Sequence, residues 1–407
     1  MTVVRAALLL LVALSALSLL AAGSRNDRHA GLGLATLLPI HSCPRQASPS
    51  NIVAVARHCD GGELLAVRIG RRSEKRRKKE GTRRKEGGDV EMVVLVVATT
   101  SDAASATPAA AFLAMPGWTP GPSIPDGVES FANGAGVRLL RHARGIVEED
   151  DLDLRWEAAT GERVSEVVLL SRHTAVSNRP ALTVHPIGVP HLRDGVDVPP
   201  QGGRPGWAAP PNPRIGPWLR LLRRIAADRG LVPEFEITLE GTHHGPVTNT
   251  PTLFVEIGST EEYWGRQDAA DAVALLLWKG LGLGEEESVG NWHGNGEKVL
   301  LGIGGGHYAP RHMDIVTKDG VWVGHLLSGY SLPMEEPKQM NGKNVADVGG
   351  MWKHSIKVSY EATKAAFPGG EIIAHIDQKS FKGWQKNAIT SYLQELNIRV
   401  GKPNDFF

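Results

Sequence analysis

Cysteine is almost missing from this 407-residue chain: there are two, Cys43 and Cys59, both within the first 91 residues. From Met92 onward there is none, which excludes a disulfide framework, a cysteine nucleophile and thiolate ligation of a metal in that region. Any metal there has to be held by imidazole, carboxylate or backbone oxygen. Twelve of the fifteen histidines lie in it. An excess of positive charge is missing too. The formal net charge is +1, and residues 92–407 carry 29 basic against 36 acidic side chains. That balance argues against broad, unspecific nucleic-acid binding and leaves room for a local basic patch. No internal repeat and no second composition regime divides these residues.

The first 91 residues read differently. "MTVVRAALLLLVALSALSLLAAGS" has one positive charge, one long apolar run and small residues at Ala21, Ala22 and Gly23, the pattern of a secretory leader; the acid-poor, Arg-bearing stretch after it fits an organelle transit sequence equally well. "RRSEKRRKKEGTRRKEGG" is a charge run that cannot bury a core and is expected to be disordered. We therefore divide the chain into an N-terminal extension, 1–91, and a functional domain, 92–407. The extension is either a targeting segment or a stretch absent from the working protein.

From Met92 the pattern alternates. Apolar, β-branched runs predict strands at the start ("VVLVVATT") and over 164–171, 181–188, 235–240, 252–258, 298–304 and 371–377. Between them, helical periodicity predicts helices in "DAASATPAAAFLAM", with Asp102 as N-cap, and over 216–230, 266–284, 354–367 and 382–396. Alternation of this kind predicts one α/β domain, a mixed or mostly parallel sheet flanked by helices. The Pro/Gly-dense stretch after residue 186 predicts a long loop.

In an open α/β sheet, ligands sit outside the carboxyl ends of strands. Five of the six informative strand exits carry a histidine: His173, His185, the pair His243–His244, His307 and His375. Any one alone reads as a core or surface histidine, but five gathered at strand exits point to acid–base or metal chemistry. Glu256 interrupts an apolar strand and needs a partner if buried. In "THHGP", Gly245 and Pro246 take the chain out of the strand, the condition for two adjacent imidazoles to share a site. In "GIGGGHYAP", four glycines in five positions predict backbone amides of Gly304, Gly305 and Gly306 presented to an oxyanion or phosphate beside His307. No Lys-Ser or Lys-Thr follows, so it is not a P-loop. Lys379, Lys382 and Lys386 form a small basic patch, and Arg220, Arg223 and Arg224 the outer face of an amphipathic helix. Ser259 or Thr260 is expected to cap a helix whose first turn holds Glu261 and Glu262.

"THHGP", "FVEIGSTEEYW", "GIGGGHYAPRH", "SRHTA" with "ALTVH", "GHLLSGYS" and "DQKSFKGWQK" together resemble the archaeal and plant type of D-aminoacyl-tRNA deacylase. The resemblance runs from Met92 to Phe407 almost without a gap. It implies a fold related to the phosphorylase/peptidyl-tRNA hydrolase class and hydrolysis of the ester joining a D-amino acid to tRNA, with aldehyde-modified D-aminoacyl-tRNAs as further substrates. It also implies zinc dependence, a monomer and a cytoplasmic location without membrane association. On the residues themselves, Zn²⁺ is expected on some of His173, His185, His243 and His307. His243, His244, Glu256 and His307 are expected to be catalytic, and Gly304–Gly306, Lys379 and Lys382 to hold the acceptor end of tRNA. Two other readings fit the same residues: a peptidyl-tRNA or other N-modified aminoacyl-tRNA hydrolase, and a tRNA-binding protein without catalysis.

Overall fold

The computed structural model describes residues 92–407 except 123, 126, 135, 338, 341–342 and 345–347, all within a compact unit, Arg83–Phe407. The readings of residues 1–91 lie outside the described residues.

The strongest apolar run makes the central strand. β1 (Met92–Thr99) lies between β4 (Val137–His142) and β5 (Arg163–Arg172), parallel to both. A strand buried on both faces has no polar side to alternate, which is why its sequence is uniformly apolar. Asp102 then caps α1 (Ala103–Leu113), its carboxylate accepting the Ala104 N–H at 3.0 Å. Strands β2 (Trp118–Pro120) and β3 (Glu129–Asn133) precede β4, and α2 (Leu152–Thr160) precedes β5. After β6 (Ala181–His185) come α3 (Ile215–Asp228), β7 (Glu236–Leu239), β8 (Thr252–Gly258), the short α4 (Glu261–Trp264) and α5 (Gln267–Gly280).

These eight strands form one mixed sheet in the order β2-β3-β4-β1-β5-β8-β6-β7. The β4-β1-β5-β8 core is parallel, but β6 runs against β8 and carries β7 with it. A second, four-stranded sheet is all parallel, in the order β10-β9-β13-β14. It comprises β9 (Lys298–Ile303), β10 (Trp322–Leu327), β13 (Glu371–Ile376) and β14 (Arg399–Val400), with α6 (Pro310–Val316), α7 (Trp352–Ala366) and α8 (Gly383–Glu395). A hairpin of β11 (Gln339–Met340) and β12 (Lys343–Asn344) intervenes. The α/β class with a mixed sheet is borne out. The strand exits, however, belong to two sheets rather than one, because His307 and His375 come from the second.

Two further expectations change. Arg220 is not part of a plain solvated face: its guanidinium donates to the carbonyls of Val316 (2.8 Å) and Val321 (3.0 Å), tying α3 to the chain entering β10. Thr260 is the N-cap of α4 by position, but its side chain makes no capping bond, and the buried Ser259 hydroxyl donates instead to the Arg179 carbonyl at 2.6 Å.

Candidate active site

The segment leaving β7 joins the two sheets. The Gly241 N–H donates to the His307 carbonyl (2.9 Å) and the Thr242 N–H to the Leu326 carbonyl (2.6 Å). The Thr242 hydroxyl oxygen accepts the Leu326 N–H at 3.0 Å and lies 3.0 Å from His325 Nδ1, while His325 Nε2 donates to the Ala209 carbonyl at 2.9 Å. Pinned in this way, the chain turns sharply. His244 has φ +24° and Gly245 φ +111°, and a Cβ on Gly245 would lie 2.9 Å from Ile187 Cβ, so the turn needs glycine for both conformation and room. The turn brings both histidines to one side: the rings of His243 and His244 are 4.1 Å apart, and His185 is 4.3 and 5.1 Å from them.

Two buried carboxylates face these rings. Glu256 lies on β8 between Ser171 of β5 and Thr183 of β6 in register. Its oxygens are 3.7 Å from His185 Nε2 and 3.7 Å from His173 Nδ1. Glu240, the first residue after β7, is fully buried, with oxygens 3.0 Å from His173 Nδ1, 2.7 Å from His307 Nε2 and 3.5 Å from His243 Nε2. Burial would raise both acids, but the surrounding imidazoles hold both below the usual carboxylate range, Glu240 well below it. Burial likewise opposes the His173 imidazolium, yet Glu240 and Glu256 outweigh it and push its pKa up to about 10. His244 goes the other way: burial first, then the charge of His185, brings it down to about 4, and the same kind of environment holds His243 well below the imidazole range.

These donors are aimed but unsatisfied. His243 Nδ1 is 2.8 Å from the Gly241 carbonyl and His185 Nδ1 is 3.1 Å from the Pro186 carbonyl, so each Nδ1 carries a proton and each Nε2 is turned toward a carboxylate. Burial opposes the His185 imidazolium, but Glu256 outweighs it and raises the pKa of His185, so without a metal a proton lies between that pair; a bound cation takes the place of such a proton and is held by the same donor atoms. Among the described residues, both oxygens of Glu240, Oε1 of Glu256, and the facing nitrogens of His185, His244 and His307 lack an aligned hydrogen bond. Backbone carbonyls that fix the distal ring nitrogen are the usual support of metal-ligating histidines. Nitrogen and oxygen donors without thiolate suit zinc and its neighbours. Three overlapping groups have donor atoms within 4.8 Å of one another: His185–His243–His244, His173–Glu240–His307 and His185–Glu240–Glu256. The residues fit a divalent cation.

His173, His243, His244, Glu256 and His307 line a polar cleft of about 450 Å³ together with Thr99, Ser101, Asp102, Gln201 and Arg172, while His185 and Glu240 lie behind that lining. The five histidines and the one carboxylate named from the sequence, His173, His185, His243, His244, His307 and Glu256, come together in this cluster. The four expected metal ligands fall into two groups, His185 with His243 and His173 with His307. His375 stays apart in the second sheet, its carbonyl 3.2 Å from His312 Nε2. The glycine loop departs from expectation. The Gly304 N–H donates to the Leu327 carbonyl (2.7 Å) and the Gly305 N–H to Ser380 Oγ (2.7 Å), so neither is free to hold an oxyanion. Lys379 and Lys382 are exposed on either side of Ser380 and Phe381, which pack against Gly304. Two residues were missed. Glu240 reads as the end of a strand, and Tyr308, whose hydroxyl is 2.7 Å from His173 Nε2, reads as part of the glycine motif.

Fold and site together define an α/β protein with a buried imidazole–carboxylate centre suited to hydrolysis. A family described as D-aminoacyl-tRNA deacylase matches residues 160–401. The D-aminoacyl-tRNA deacylase of Arabidopsis thaliana is 68% identical over 307 residues, 74% of this chain and 96% of the relative. That of Aeropyrum pernix is 30% identical, covering 68% of this chain and 88% of its own length. A crystal structure of a conserved protein of unknown function shares the fold with a TM-score of 0.60 at 24% identity, over 77% of this chain and 96% of its own. The chain belongs to the D-aminoacyl-tRNA deacylase family.

Proposed function

We propose that the protein hydrolyses the ester bond of D-aminoacyl-tRNA, releasing the D-amino acid and free tRNA, with the imidazole–carboxylate cluster as its reaction centre. One observation supports the placement: two buried carboxylates and five imidazoles gather at a single cleft, with both oxygens of Glu240, Oε1 of Glu256 and a ring nitrogen of His185, His244 and His307 unsatisfied. The relatives bear the deacylase name, which favours this reading over a peptidyl-tRNA hydrolase or a non-catalytic binder.

His185, His243 and His244 would hold the cation, taken as Zn²⁺, and His173, Glu240 and His307 offer a second set of donors. When bound, the ion supplies Lewis acidity toward the ester carbonyl and lowers the pKa of a water. The chain's own residues do the rest. The Gly241 and Pro186 carbonyls lock His243 and His185 with Nε2 inward, and the Tyr308 hydroxyl holds His173 at Nε2, leaving its Nδ1 inward. Glu256 lines the cleft with Oε1 unpartnered, placed to take the proton of the attacking water and return it to the leaving ribose oxygen. Lys379 and Lys382, exposed beside the glycine loop, would meet acceptor-strand phosphates. This reading places the protein, as a monomer, with the cytosolic tRNA pool. The test is release of amino acid from matched D- and L-tyrosyl-tRNA and from peptidyl-tRNA: D-selective release is expected, and equal or preferential turnover of peptidyl-tRNA contradicts it.

A further inference from the structure

We propose that Arg172 anchors the phosphodiester preceding the terminal nucleotide of the substrate, an inference that rests on the deacylase reading. Among the described residues lining the cleft, Arg172 is the one lysine or arginine. It follows Ser171 at the end of β5 and precedes His173, so it sits at the rim while its neighbour reaches the cluster below. Its side chain is 55% exposed, and its nearest carboxylate, Asp102, is 4.0 Å from Nε. That carboxylate already accepts the Ala104 N–H at the start of α1. No hydrogen bond to the guanidinium is present among the described residues, so its donors are unspent.

Arg172 is nonetheless held in place. Its guanidinium lies 5.2 Å from the centre of the Trp264 ring, and the Trp264 indole N–H donates to the His173 carbonyl at 3.0 Å. Stacking on an aromatic face with the planar fork left open is the arrangement suited to a phosphate, which guanidinium binds in two-point fashion. The dimensions agree. A cleft of about 450 Å³ is within the range of single small-ligand sites, so it takes the terminal nucleotide and its acyl group and leaves the preceding phosphate at the mouth. Lys379 and Lys382 are not among the residues lining the cleft, and would act on phosphates further along. Asp102 opposes an anion at close range, which places the phosphate on the side of the guanidinium away from it.

The experiment compares a D-aminoacyl ester of adenosine with the same ester of adenosine 5′-phosphate, on the whole protein and on Arg172→Ala and Arg172→Lys. In the unaltered protein the 5′-phosphate should raise kcat/KM about tenfold, through KM rather than kcat. In Arg172→Ala that advantage should vanish, and Arg172→Lys should keep part of it. Binding of uncharged tRNA gives an independent reading: the slope of log affinity against log salt should fall in magnitude by about 0.7 on losing one single-strand phosphate contact. A phosphate advantage that survives in Arg172→Ala, with an unchanged salt slope, overturns the proposal. So does a uniform loss on both esters that tracks a fall in melting temperature, since that marks a structural role through Trp264. If the protein hydrolyses neither ester, release from D-tyrosyl-tRNA decides the deacylase reading, and the tRNA salt slope alone decides the role of Arg172.

Discussion

Glu240 Oε2 stands 2.7 Å from His307 Nε2, yet the pair is not aligned as a hydrogen bond, and both atoms are buried. A buried carboxylate this close to an imidazole, with a second imidazole 3.0 Å from its other oxygen, is either an ion pair or one wall of a metal site. Glu240→Gln keeps the shape and removes the charge. It should lower kcat/KM at least tenfold and reduce the metal retained after dialysis. Wild-type values of both in this variant would remove Glu240 from the centre.

Glu256 has a different role, and the two acids should separate experimentally. Glu256→Gln should lower kcat by roughly a hundredfold, the scale of a lost general base, with metal content and KM little changed. His243→Ala and His244→Ala should each abolish turnover and reduce bound metal, with only a modest change in melting temperature. Full activity in both histidine variants would exclude them from the reaction.

Stability should depend on pH through histidines outside the cleft as well as within it. Burial brings both His312 and His325 down to about 4. A histidine whose folded pKa is depressed is stabilising while neutral, above its unfolded value, and that stability is lost as pH falls from about 6.5 to about 4. Each such group is worth roughly 3 kcal/mol over that window. His173 has the opposite sign: raised to about 10, it stabilises below about 6.5, and that contribution is lost as pH rises through its folded value. The metal-free protein should therefore be most stable near neutrality. Thermal melts across pH 4–10 test this, and an acid limb no shallower in His325→Gln would contradict it.

The glycine loop makes a structural prediction. Gly304 has φ +98°, and an added Cβ would lie 2.8 Å from the Phe381 ring and 3.1 Å from Ser380 Cβ. Gly304→Ala should cost about 2–3 kcal/mol from strain and overpacking. Gly306 lacks a left-handed φ, and its added Cβ would meet Tyr308 O at an ordinary 3.8 Å, so Gly306→Ala should melt within a degree or two of the parent. Equal destabilisation by both would refute this assignment of the loop.

Much of the centre was legible because its signals are local. Glycine and proline announce the turn that gathers His243 and His244, and an acid inside the apolar run of β8 marks Glu256. Glu240 was hidden because its role depends on distant residues: it ends an alternating strand like any polar residue, and only the return of His173 and His307 from other elements makes it central. The reversed direction of β6 and β7 was equally hidden, since a buried strand has the same composition whichever way it runs. The glycine loop misled for a related reason. Its sequence shows that backbone approaches something closely, but not that the partners of Gly304 and Gly305 are Leu327 and Ser380 rather than a ligand.

A metal ion in this cluster and D-selective ester hydrolysis by it stand or fall together. The most direct test measures metal content and D-tyrosyl-tRNA turnover on the same sample, before and after chelation and after return of Zn²⁺. At least one ion per chain is expected, with D-tyrosyl-tRNA hydrolysis lost on its removal and restored on its return. Undiminished turnover in a sample shown to contain no metal would contradict the account.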